Sequence, residues 1–230
     1  MARREPLTRE RILEAATSLA DAEGIGAVTM RRLAAGLGVE AMSLYHHVPN
    51  KDALLDGVVA TIIATVQDAV RGSGGDGWQA ALRNRCLAAR DVMARHPWAP
   101  GLIGTRKTIP ASVIFYYEEV LGLLIEGGFS YALAHKALHA LGSMPLGFVQ
   151  ELFSPAASGG SVDVEAAEAE FEKLAAALPH MMAMAAAEIH ANDGDMLGWC
   201  DSRKEFEFTL DLLLDGLERR RAALSGPEDS

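Results

Sequence analysis

The sequence predicts an all-α fold, and three observations carry the prediction. Half of the 230 residues are hydrophobic, which is enough for a sizeable core. Alanine and leucine recur at helical spacing, and no Asn-Gly or Asp-Gly turn separates alternating apolar runs. A glycine-rich run at 72–77 ends the fourth predicted helix and is the clearest linker, though it need not be a domain boundary. We therefore expect an N-terminal three-helix part at 1–51, a connecting helix at 52–71, a larger C-terminal helical part at 72–224 and a tail at 225–230.

The predicted helices begin and end at recognisable signals. In the first, at 9–23, Thr8 is the expected N-cap and Gly24 the C-terminal residue that tolerates a left-handed backbone. Its apolar stripe is Ile12, Leu13, Ala16, Leu19 and Ala20. Further helices are expected near 29–37, 40–46, 50–71, 78–95, 109–127, 130–153, 164–190 and 201–222. Pro179 should interrupt the helix at 164–190, residues 154–163 have loop composition, and the tail should fray.

Targeting signals and cysteine usage predict a cytoplasmic protein without a membrane anchor. The N-terminus is charged and lacks the apolar segment of a signal peptide. We find no run of about 18 apolar residues, the length a membrane-spanning helix needs. Cys86 and Cys200 lie far apart without a C-x-x-C partner, so we interpret both as reduced thiols.

The charge of the chain is unevenly distributed. The formal net charge is −10, yet residues 1–51 hold seven basic and six acidic side chains and so carry +1, leaving −11 for the remainder. An acidic C-terminal part would repel DNA and help to orient the N-terminal part toward it. The distribution is compatible with DNA binding but does not by itself indicate it.

The segment 29–48 has the pattern of a helix-turn-helix. Two short helices that cross steeply need a small residue at the crossing, which is Ala34, and a turn residue that tolerates positive φ, which is Gly38. The inward-facing apolar positions are Leu33, Leu37, Val39, Leu44 and Val48. Spacing alone leaves open a compact helical hairpin within an all-α protein.

The side chains that point outward from this unit suit a nucleic acid. A mixture of hydroxyl, imidazole and small apolar groups can meet base edges, phosphates and thymine methyl groups. Lys51 starts the fourth helix where a phosphate would lie, and Thr29 stands at a helix N-terminus that favours an anion. The candidate DNA-binding residues from this pattern are Thr29, Arg31, Ala41, Met42, Ser43, His46, His47 and Lys51.

Residues 8–67 resemble the N-terminal domain of the TetR family of bacterial repressors. The residues that carry the resemblance are Ile12, Ala16, Gly24, Val28-Thr29, Arg32-Leu33-Ala34, Leu37-Gly38-Val39, Leu44-Tyr45-His46-His47 and Asn50-Lys51-Asp52-Ala53-Leu54-Leu55. The resemblance implies a dimeric repressor that binds palindromic operator DNA and is released by a small-molecule inducer. It also implies that Tyr45 and Lys51 contact the DNA backbone, which adds Tyr45 to the candidates.

The C-terminal part resembles the tetracycline-responsive members of that family. Matching segments in order include Trp78-Gln79, Leu82-Arg83-Asn84, Gly104-Thr105-Arg106, Ala137-Leu138, Leu146-Gly147 and Gly216-Leu217-Glu218. The resemblance implies that Thr105 and Arg106 lie in a loop that moves on induction. Three pocket positions depart from that pattern: Gln67 and Leu102 replace histidines, and Arg85 replaces an asparagine. Because Leu102 cannot bind a metal, we expect a drug or metabolite other than magnesium-tetracycline as inducer.

A small-molecule pocket between the C-terminal helices is the default expectation for such a domain. The candidate ligand-binding residues are Gln67, Arg85, Trp98, Leu102, Thr105, Arg106, Tyr116, His139, Phe148 and Met182. For most of them a plain core position is the alternative. An inward Arg85 would need a partner and would favour an anionic or carbonyl-rich ligand. Tyr116 and Tyr117 are adjacent on a helix, so we expect at most one to face the pocket.

Metal binding and catalysis are not expected. His135 and His139 have the spacing of a two-histidine metal site, but the zincin glutamate is absent and no third ligand is identifiable. Glu151 matches a metal-linked glutamate by resemblance, without a histidine to complete the site. We predict no cofactor and no enzymatic activity; the competing interpretations are a small metal-dependent hydrolase and a helical ligand carrier.

The resemblance implies a dimer built from two C-terminal helices of each chain, here near 130–153 and 201–222. Apolar residues recur on them at helical spacing: Leu138, Leu141, Phe148, Phe206, Leu210, Leu213 and Leu217. Periodicity alone would also allow an ordinary core. A dimer is needed physically, because one short recognition helix gives weak affinity and two copies read a palindrome.

Overall fold

The computed structural model describes residues 6–72, 75–148, 169–170, 173–188 and 202–224, and these residues are helical without any strand, which confirms the all-α fold. The helices are α1 Arg9–Glu23, α2 Met30–Leu37, α3 Ala41–Tyr45, α4 Lys51–Val70, α5 Trp78–Arg95, α6 Ala99–Gly104, α7 Ala111–Glu126, α8 Tyr131–Phe148, α9 Pro179–Glu188 and α10 Ser202–Leu224. Short 3₁₀ turns occupy Ile25–Ala27 and Ala175–Ala177.

Helix starts follow the capping chemistry read from the sequence. The side chains of Thr8, Thr29 and Asn50 each accept a hydrogen bond from the backbone N–H three residues later, at 3.2, 3.3 and 2.8 Å. Each bond satisfies one of the backbone donors that a helix leaves without a partner at its start. The starts of α1, α2 and α4 are therefore determined locally.

Two of the later helices have a proline in their first turn. The short helix α6 was not predicted; it follows directly on Trp98 and has Pro100 in its first turn, where the missing N–H costs nothing. Pro179 begins α9 just after the 3₁₀ turn Ala175–Ala177, which confirms the predicted interruption; its missing N–H is tolerated in a first turn. The predicted loop at 154–163, the tail, Glu151, Cys200 and the first part of the predicted helix at 164–190 lie outside the described residues.

The N-terminal core is a small bundle of α1, α2 and α3 packed on the first half of α4. Ile12 and Ala16 of α1, Leu33 of α2, Leu44 of α3 and Leu54 of α4 are all buried in it. These five residues match the apolar pattern of the sequence. The bundle therefore holds α3 against α4.

A second core lies between α5, α7, α8 and α10, with Leu82, Leu124, Ala137, Phe206 and Leu210 at its centre. The second half of α4 borders this region through a separate cluster, which Ile62 and Val66 form with residues of α5 and α6. Helix α4 thus packs against both parts of the molecule. Any shift of α4 against the C-terminal helices must carry the N-terminal bundle with it.

Helix α4 also corrects one expectation from the sequence. Lys51–Val70 is long and apolar enough, with a mean hydropathy of 1.6 over its best window, to cross a membrane by length and composition alone. Seven of its residues are buried against α1, α5 and their neighbours. Its apolar character is accounted for by packing on two sides within the protein.

Candidate DNA-binding face and ligand cavity

The turn between α2 and α3 ends α2 with a left-handed residue. Gly38 has φ 65° and ψ 38°, a conformation that disfavours any residue with a Cβ. Its N–H donates to the carbonyl of Ala35 at 3.2 Å, and the N–H of Val39 donates to that of Ala34 at 3.0 Å. This pair of bonds is the Schellman motif, and it fixes the direction in which α3 leaves α2.

Helix α3 buries one side chain and exposes two others to solvent. Leu44 is fully buried, whereas Met42 is 71% and Tyr45 41% exposed. We call the exposed residues Arg31, Met42, Tyr45, His46, His47 and Lys51 the DNA-binding face, after the role that the sequence predicts for them. Exposing large apolar side chains to water is unfavourable in free energy, and a partner that covers them removes this cost.

The remaining candidates on this unit have supporting positions. Thr29 is half-buried and its side chain is engaged as the N-cap of α2. Ala41 and Ser43 are half-buried on α3, beside the exposed Met42. Lys51 is the first residue of α4 and is exposed, so its ammonium can reach a phosphate.

Two polar contacts orient α1, on which the unit rests. Arg32 of α2 makes a two-bonded ion pair with Glu23, and this pair lowers the pKa of the Glu23 carboxyl. At the other side, one carboxylate oxygen of Asp21 accepts a hydrogen bond from Trp98 Nε1 at 2.8 Å and lies 2.7 Å from His96 Nδ1. No sequence pattern indicates Asp21, because its partners are 75 and 77 residues away along the chain.

A partly enclosed cavity lies between α4, α5, α7 and α8 and includes about 730 Å³ of space, counting its opening to solvent. The enclosed part of the cavity is about 80 Å³, smaller than the roughly 300–1,000 Å³ of small-molecule sites, so a ligand has to move side chains of the wall to enter. Its wall is mostly apolar. The lining residues are Ile63, Val66, Leu82, Arg85, Cys86, Ala89, Met93, Ile103, Val113, Tyr116, Tyr117, Val120, Leu138, Leu141, Gly142, Pro145 and Leu146.

Two of the ten predicted ligand-binding residues, Arg85 and Tyr116, line this cavity. The other eight lie elsewhere: Gln67 on the outer side of α4, Trp98 against Asp21, Leu102 in the N-terminal core, Thr105 exposed, Arg106 against α4, His139 on the surface, Phe148 against Phe206, and Met182 on α9. Tyr117 lines the cavity beside Tyr116, contrary to expectation. Tyr116 is the more buried, whereas Tyr117 is partly exposed.

Arg85 is the charged residue of the cavity wall, and it is paired. Its side chain is 13% exposed, and Nη1 donates to Glu119 Oε2 at 2.9 Å. The guanidinium also lies over the Tyr116 ring, 5.3 Å from its centroid. Glu119 in turn accepts from Gln67 Nε2 of α4 at 2.9 Å through its other oxygen. Glu119, which sequence reasoning missed, therefore connects α7 to both α5 and α4.

Burial suppresses ionisation of the other polar groups in the wall. It raises the pKa of the Cys86 thiol to about 12, and it raises the pKa of the Tyr116 hydroxyl as well. Both groups are neutral at physiological pH, so they offer a ligand hydrogen bonds and polarisable surface rather than charge.

Arg106 joins the end of α6 to the start of α4. Its Nε donates to Asp56 Oδ1 at 2.7 Å and its Nη2 to Asp52 Oδ1 at 3.1 Å. Its pKa is raised, because the hydrogen bonds and charges of the two aspartates outweigh its desolvation. Ile103, three residues earlier, lines the cavity. The contact therefore connects a wall of the cavity with the first turns of α4, next to Lys51.

His135 and His139 lie on the exposed side of α8 with their Nε2 atoms 3.1 Å apart. Within the described part of the chain, no group of three His, Cys, Asp or Glu side chains is arranged to hold a metal ion. The pair can share a hydrogen bond in its neutral form, which accounts for the contact.

Of the seven predicted dimer residues, four are buried and three, Leu138, Phe148 and Leu213, are half-buried against the same core. Leu141, Phe206, Leu210 and Leu217 are buried within the chain's own core, so the plain-core alternative explains them. The surface of α8 and α10 instead exposes other apolar side chains. Phe208 and Leu212 are 66% and 55% exposed, and shallow grooves between α8 and α10 are lined by Leu213, Ala132, Ala140, Ser143 and Gly147.

A helix-turn-helix with an exposed outer face, joined by one long helix to a helical domain with a cavity, defines a DNA-binding regulator. Comparison with protein families gives the same class. A model described as bacterial regulatory proteins, tetR family, matches residues 12–58, and the tetracyclin repressor-like C-terminal domain model matches residues 72–221. The chain belongs to the TetR family of transcriptional regulators.

Individual relatives agree with this assignment. The chain is 36% identical over 146 residues to the class D tetracycline repressor of Escherichia coli, an alignment that covers 63% of this chain and 66% of that protein, just under two thirds of its length. A possible TetR family regulator from Streptomyces coelicolor A3(2) has a similar structure, with a TM-score of 0.70 at 26% identity over 92% of this chain and 98% of that one.

A second similar structure contains a small molecule. The TetR family protein ActR of Streptomyces coelicolor, solved in complex with (S)-DNPA, has a TM-score of 0.67 at 27% identity and covers 93% of this chain and 98% of its own.

Proposed function

We propose that the chain is a homodimeric repressor that binds palindromic operator DNA through its DNA-binding face and releases the DNA when a small molecule occupies the cavity. The observation that carries the proposal is the anchoring of α3. This helix buries Leu44, while Met42, Tyr45 and the two histidines after them are presented to solvent on one unit with Lys51. Such a unit suits insertion into a major groove.

Each part of the face has a proposed role. Met42, Ala41 and Ser43 approach base edges, where an apolar surface suits thymine methyl groups and a hydroxyl suits either base type. Tyr45, Lys51 and the N-terminus of α2 at Thr29 approach phosphates. Arg31, His46 and His47 flank them. Residues 52–230 carry −11 and repel DNA, whereas residues 1–51 carry +1. DNA therefore approaches the chain at this face rather than at the C-terminal helices.

We assign the surface of α8 and α10 to a second copy of the chain. Phe208, Leu212 and Leu213 would pack against the small side chains that line the opposite grooves. A twofold pairing would place two DNA-binding faces about 34–36 Å apart, one turn of DNA. This set of contacts replaces the buried leucines that the sequence suggested.

Release is proposed to run through α6. A ligand that pushes on Ile103 would displace Arg106, which holds Asp52 and Asp56 at the start of α4. The start of α4 carries Lys51 and the neighbouring bundle, so the separation of the two faces would change. By linkage the ligand must bind the DNA-free form more tightly, and DNA must weaken ligand binding by the same factor.

The proposed inducer is a drug or metabolite other than magnesium-tetracycline. None of the described residues that line the cavity is a histidine, and Leu102, at the position of a metal-binding histidine by resemblance, is buried in the N-terminal core. The presence of (S)-DNPA in the ActR structure supports small-molecule control in general. We propose no catalytic activity, and a DNA-binding role implies a cytoplasmic location.

A footprint on the DNA upstream of the chain's own gene tests the proposal. We expect protection of an inverted repeat, and loss of about 10- to 100-fold in affinity for Lys51→Ala combined with Tyr45→Ala, since phosphate contacts dominate affinity. Lys173→Ala, an exposed lysine outside the face, is the matched control and should bind as the parent does. Absence of any protected site, or equal binding by all variants, would contradict the proposal.

A further inference from the structure

The Arg85–Glu119 pair carries an inference about the chemistry of the ligand, and it rests on the proposed function. The two partners differ in exposure: the Arg85 side chain is 13% exposed, and the Glu119 side chain is 48% exposed. Glu119 can turn into solvent and regain its hydration. Arg85 cannot follow it, because its guanidinium is held in the cavity wall over the Tyr116 ring.

We infer that the cavity takes a largely apolar, flat molecule with one anionic group, and that this group replaces Glu119 as the partner of Arg85. A buried guanidinium left without an anion is strongly unfavourable, so the ligand must supply one when the glutamate leaves. The guanidinium has five N–H donors and recognises a carboxylate or sulfonate with two of them. A neutral ligand would leave Arg85 paired with Glu119 and would form no ion pair with the guanidinium.

The rest of the wall suits the body of such a ligand. Val66 and Val120 are buried apolar residues of the same wall, and Tyr116 and Tyr117 offer aromatic faces or edges. A ring system that stacks on them would point its acidic substituent at Arg85. In the described wall no second cation offers a competing site for that group.

The exchange also affects α4. Glu119 holds Gln67 through the oxygen that does not bind Arg85, so its departure removes a contact between α7 and α4. Ligand binding would then release α4 on this side, in addition to any displacement of Arg106 at its start.

Two fluorescent dyes with the same aromatic frame test the ligand class. Anilinonaphthalene sulfonate carries an anionic group and N-phenylnaphthylamine lacks it. We expect the full chain to bind the anionic dye at least about tenfold more tightly, and Arg85→Met to remove that preference while changing the affinity for the neutral dye by less than about threefold. Arg83→Met, two residues away and paired with Glu207 and Asp211 outside the cavity, is the charge-matched control and should change neither affinity.

Two further variants locate the site and test the exchange. A Cβ added at Gly142 meets no atom within 4 Å, so Gly142→Leu should extend into the cavity and weaken both dyes. Glu119→Gln removes the competing charge and should tighten the anionic dye by about three- to tenfold. If Arg85→Met does not fold, Arg85→Lys should keep the preference for the anionic dye.

The inference is overturned if Arg85→Met keeps the dye preference, if Gly142→Leu binds both dyes unchanged, or if Glu119→Gln weakens the anionic dye. None of these titrations contains DNA. A chain that shows the dye pattern without a footprint would lose the proposed function and keep the ligand class. A footprint without the dye pattern would keep the proposed function and contradict the inferred ligand class.

The contact with α4 has its own measurement. Saturating anionic dye should weaken binding to the footprinted DNA by about tenfold in the parent chain, and Gln67→Leu, which lacks the contact from the outset, should reduce that factor. An equal factor in both chains would show that Gln67 plays no part.

Discussion

The DNA-binding face and the cavity are built in opposite ways. The face comes from one continuous stretch, Arg31 to Lys51, and its side chains are exposed to solvent. The cavity collects residues from four long helices and the short α6, between Ile63 and Leu146, and its charged residue is already paired. The polar groups of an exposed face are hydrated until a partner binds. Those of a buried site must form hydrogen bonds or ion pairs within the protein while the site is empty.

This difference also determines how each region should respond to mutation. The face depends on a few buried anchors beneath it, so its exposed residues can change without loss of fold. The cavity depends on pairs between helices, so changes there alter both stability and the position of α4. Helix α4 packs against both regions. The substitutions below therefore measure whether a change in one region alters the stability or binding of the other.

The largest effect is expected at the anchor of the recognition helix. Leu44 is fully buried in a helix of five residues, so Leu44→Ala should cost about 3 kcal/mol of unfolding free energy and abolish operator binding. Urea unfolding measures the cost, and binding of the neutral dye reports the cavity. Met42→Ala, on the same helix but exposed, should cost less than about 0.5 kcal/mol. Equal costs would show that α3 is not held by Leu44.

The next effect tests the packing of the bundle on α4. A Cβ at Gly57 would lie 2.6 Å from Leu13 Cδ2, so Gly57→Ala should cost about 1–3 kcal/mol and push α1 away from α4. Operator affinity should fall with it, because α1 supports the helix-turn-helix. Gly122→Ala, where an added Cβ meets no atom within 4 Å, is the matched control and should not destabilise the chain.

The contrast between the regions also explains what the sequence could predict. Capping residues and Gly38 act on neighbours within a few positions, so α1 to α4 were predicted within one or two residues of their observed bounds. The cavity was predicted only as a class of site. Glu119, Asp21 and Asp56 meet their partners across 34, 77 and 50 positions of chain, and periodicity contains no information on such pairings.

The buried leucines of α8 and α10 show the same limit from another side. A helical stripe identifies a face that avoids water, but not whether its own chain or a second copy covers it. Here Leu210 and Leu217 are covered by the same chain, and Phe208 and Leu212 are left exposed. Only the packing of α5 and α7 against these helices separates the two sets.

A smaller effect is expected where the two regions are joined by charge. Arg106 is nearly buried between Asp52 and Asp56, so Arg106→Met should cost about 1–2 kcal/mol and reduce the factor by which ligand weakens DNA binding. Paired titrations of dye and DNA measure that factor. Arg71→Met is the control: its ion pair with Asp68 is exposed and should contribute no more than about 0.5 kcal/mol. An unchanged factor would exclude α6 as the connection.

The smallest effect compares the glycine of the turn with a glycine of the helix before it. Gly38 is left-handed, so Gly38→Ala should cost about 1 kcal/mol and redirect α3. Gly36, two residues earlier within α2, has open space around an added Cβ, so Gly36→Ala should stabilise the chain by about 0.5–1 kcal/mol through helix propensity. Thermal unfolding without DNA measures both. Stability changes of opposite sign at the two positions would show that the turn at Gly38, and not glycine content, sets the geometry of the DNA-binding face. Changes of the same sign would contradict this.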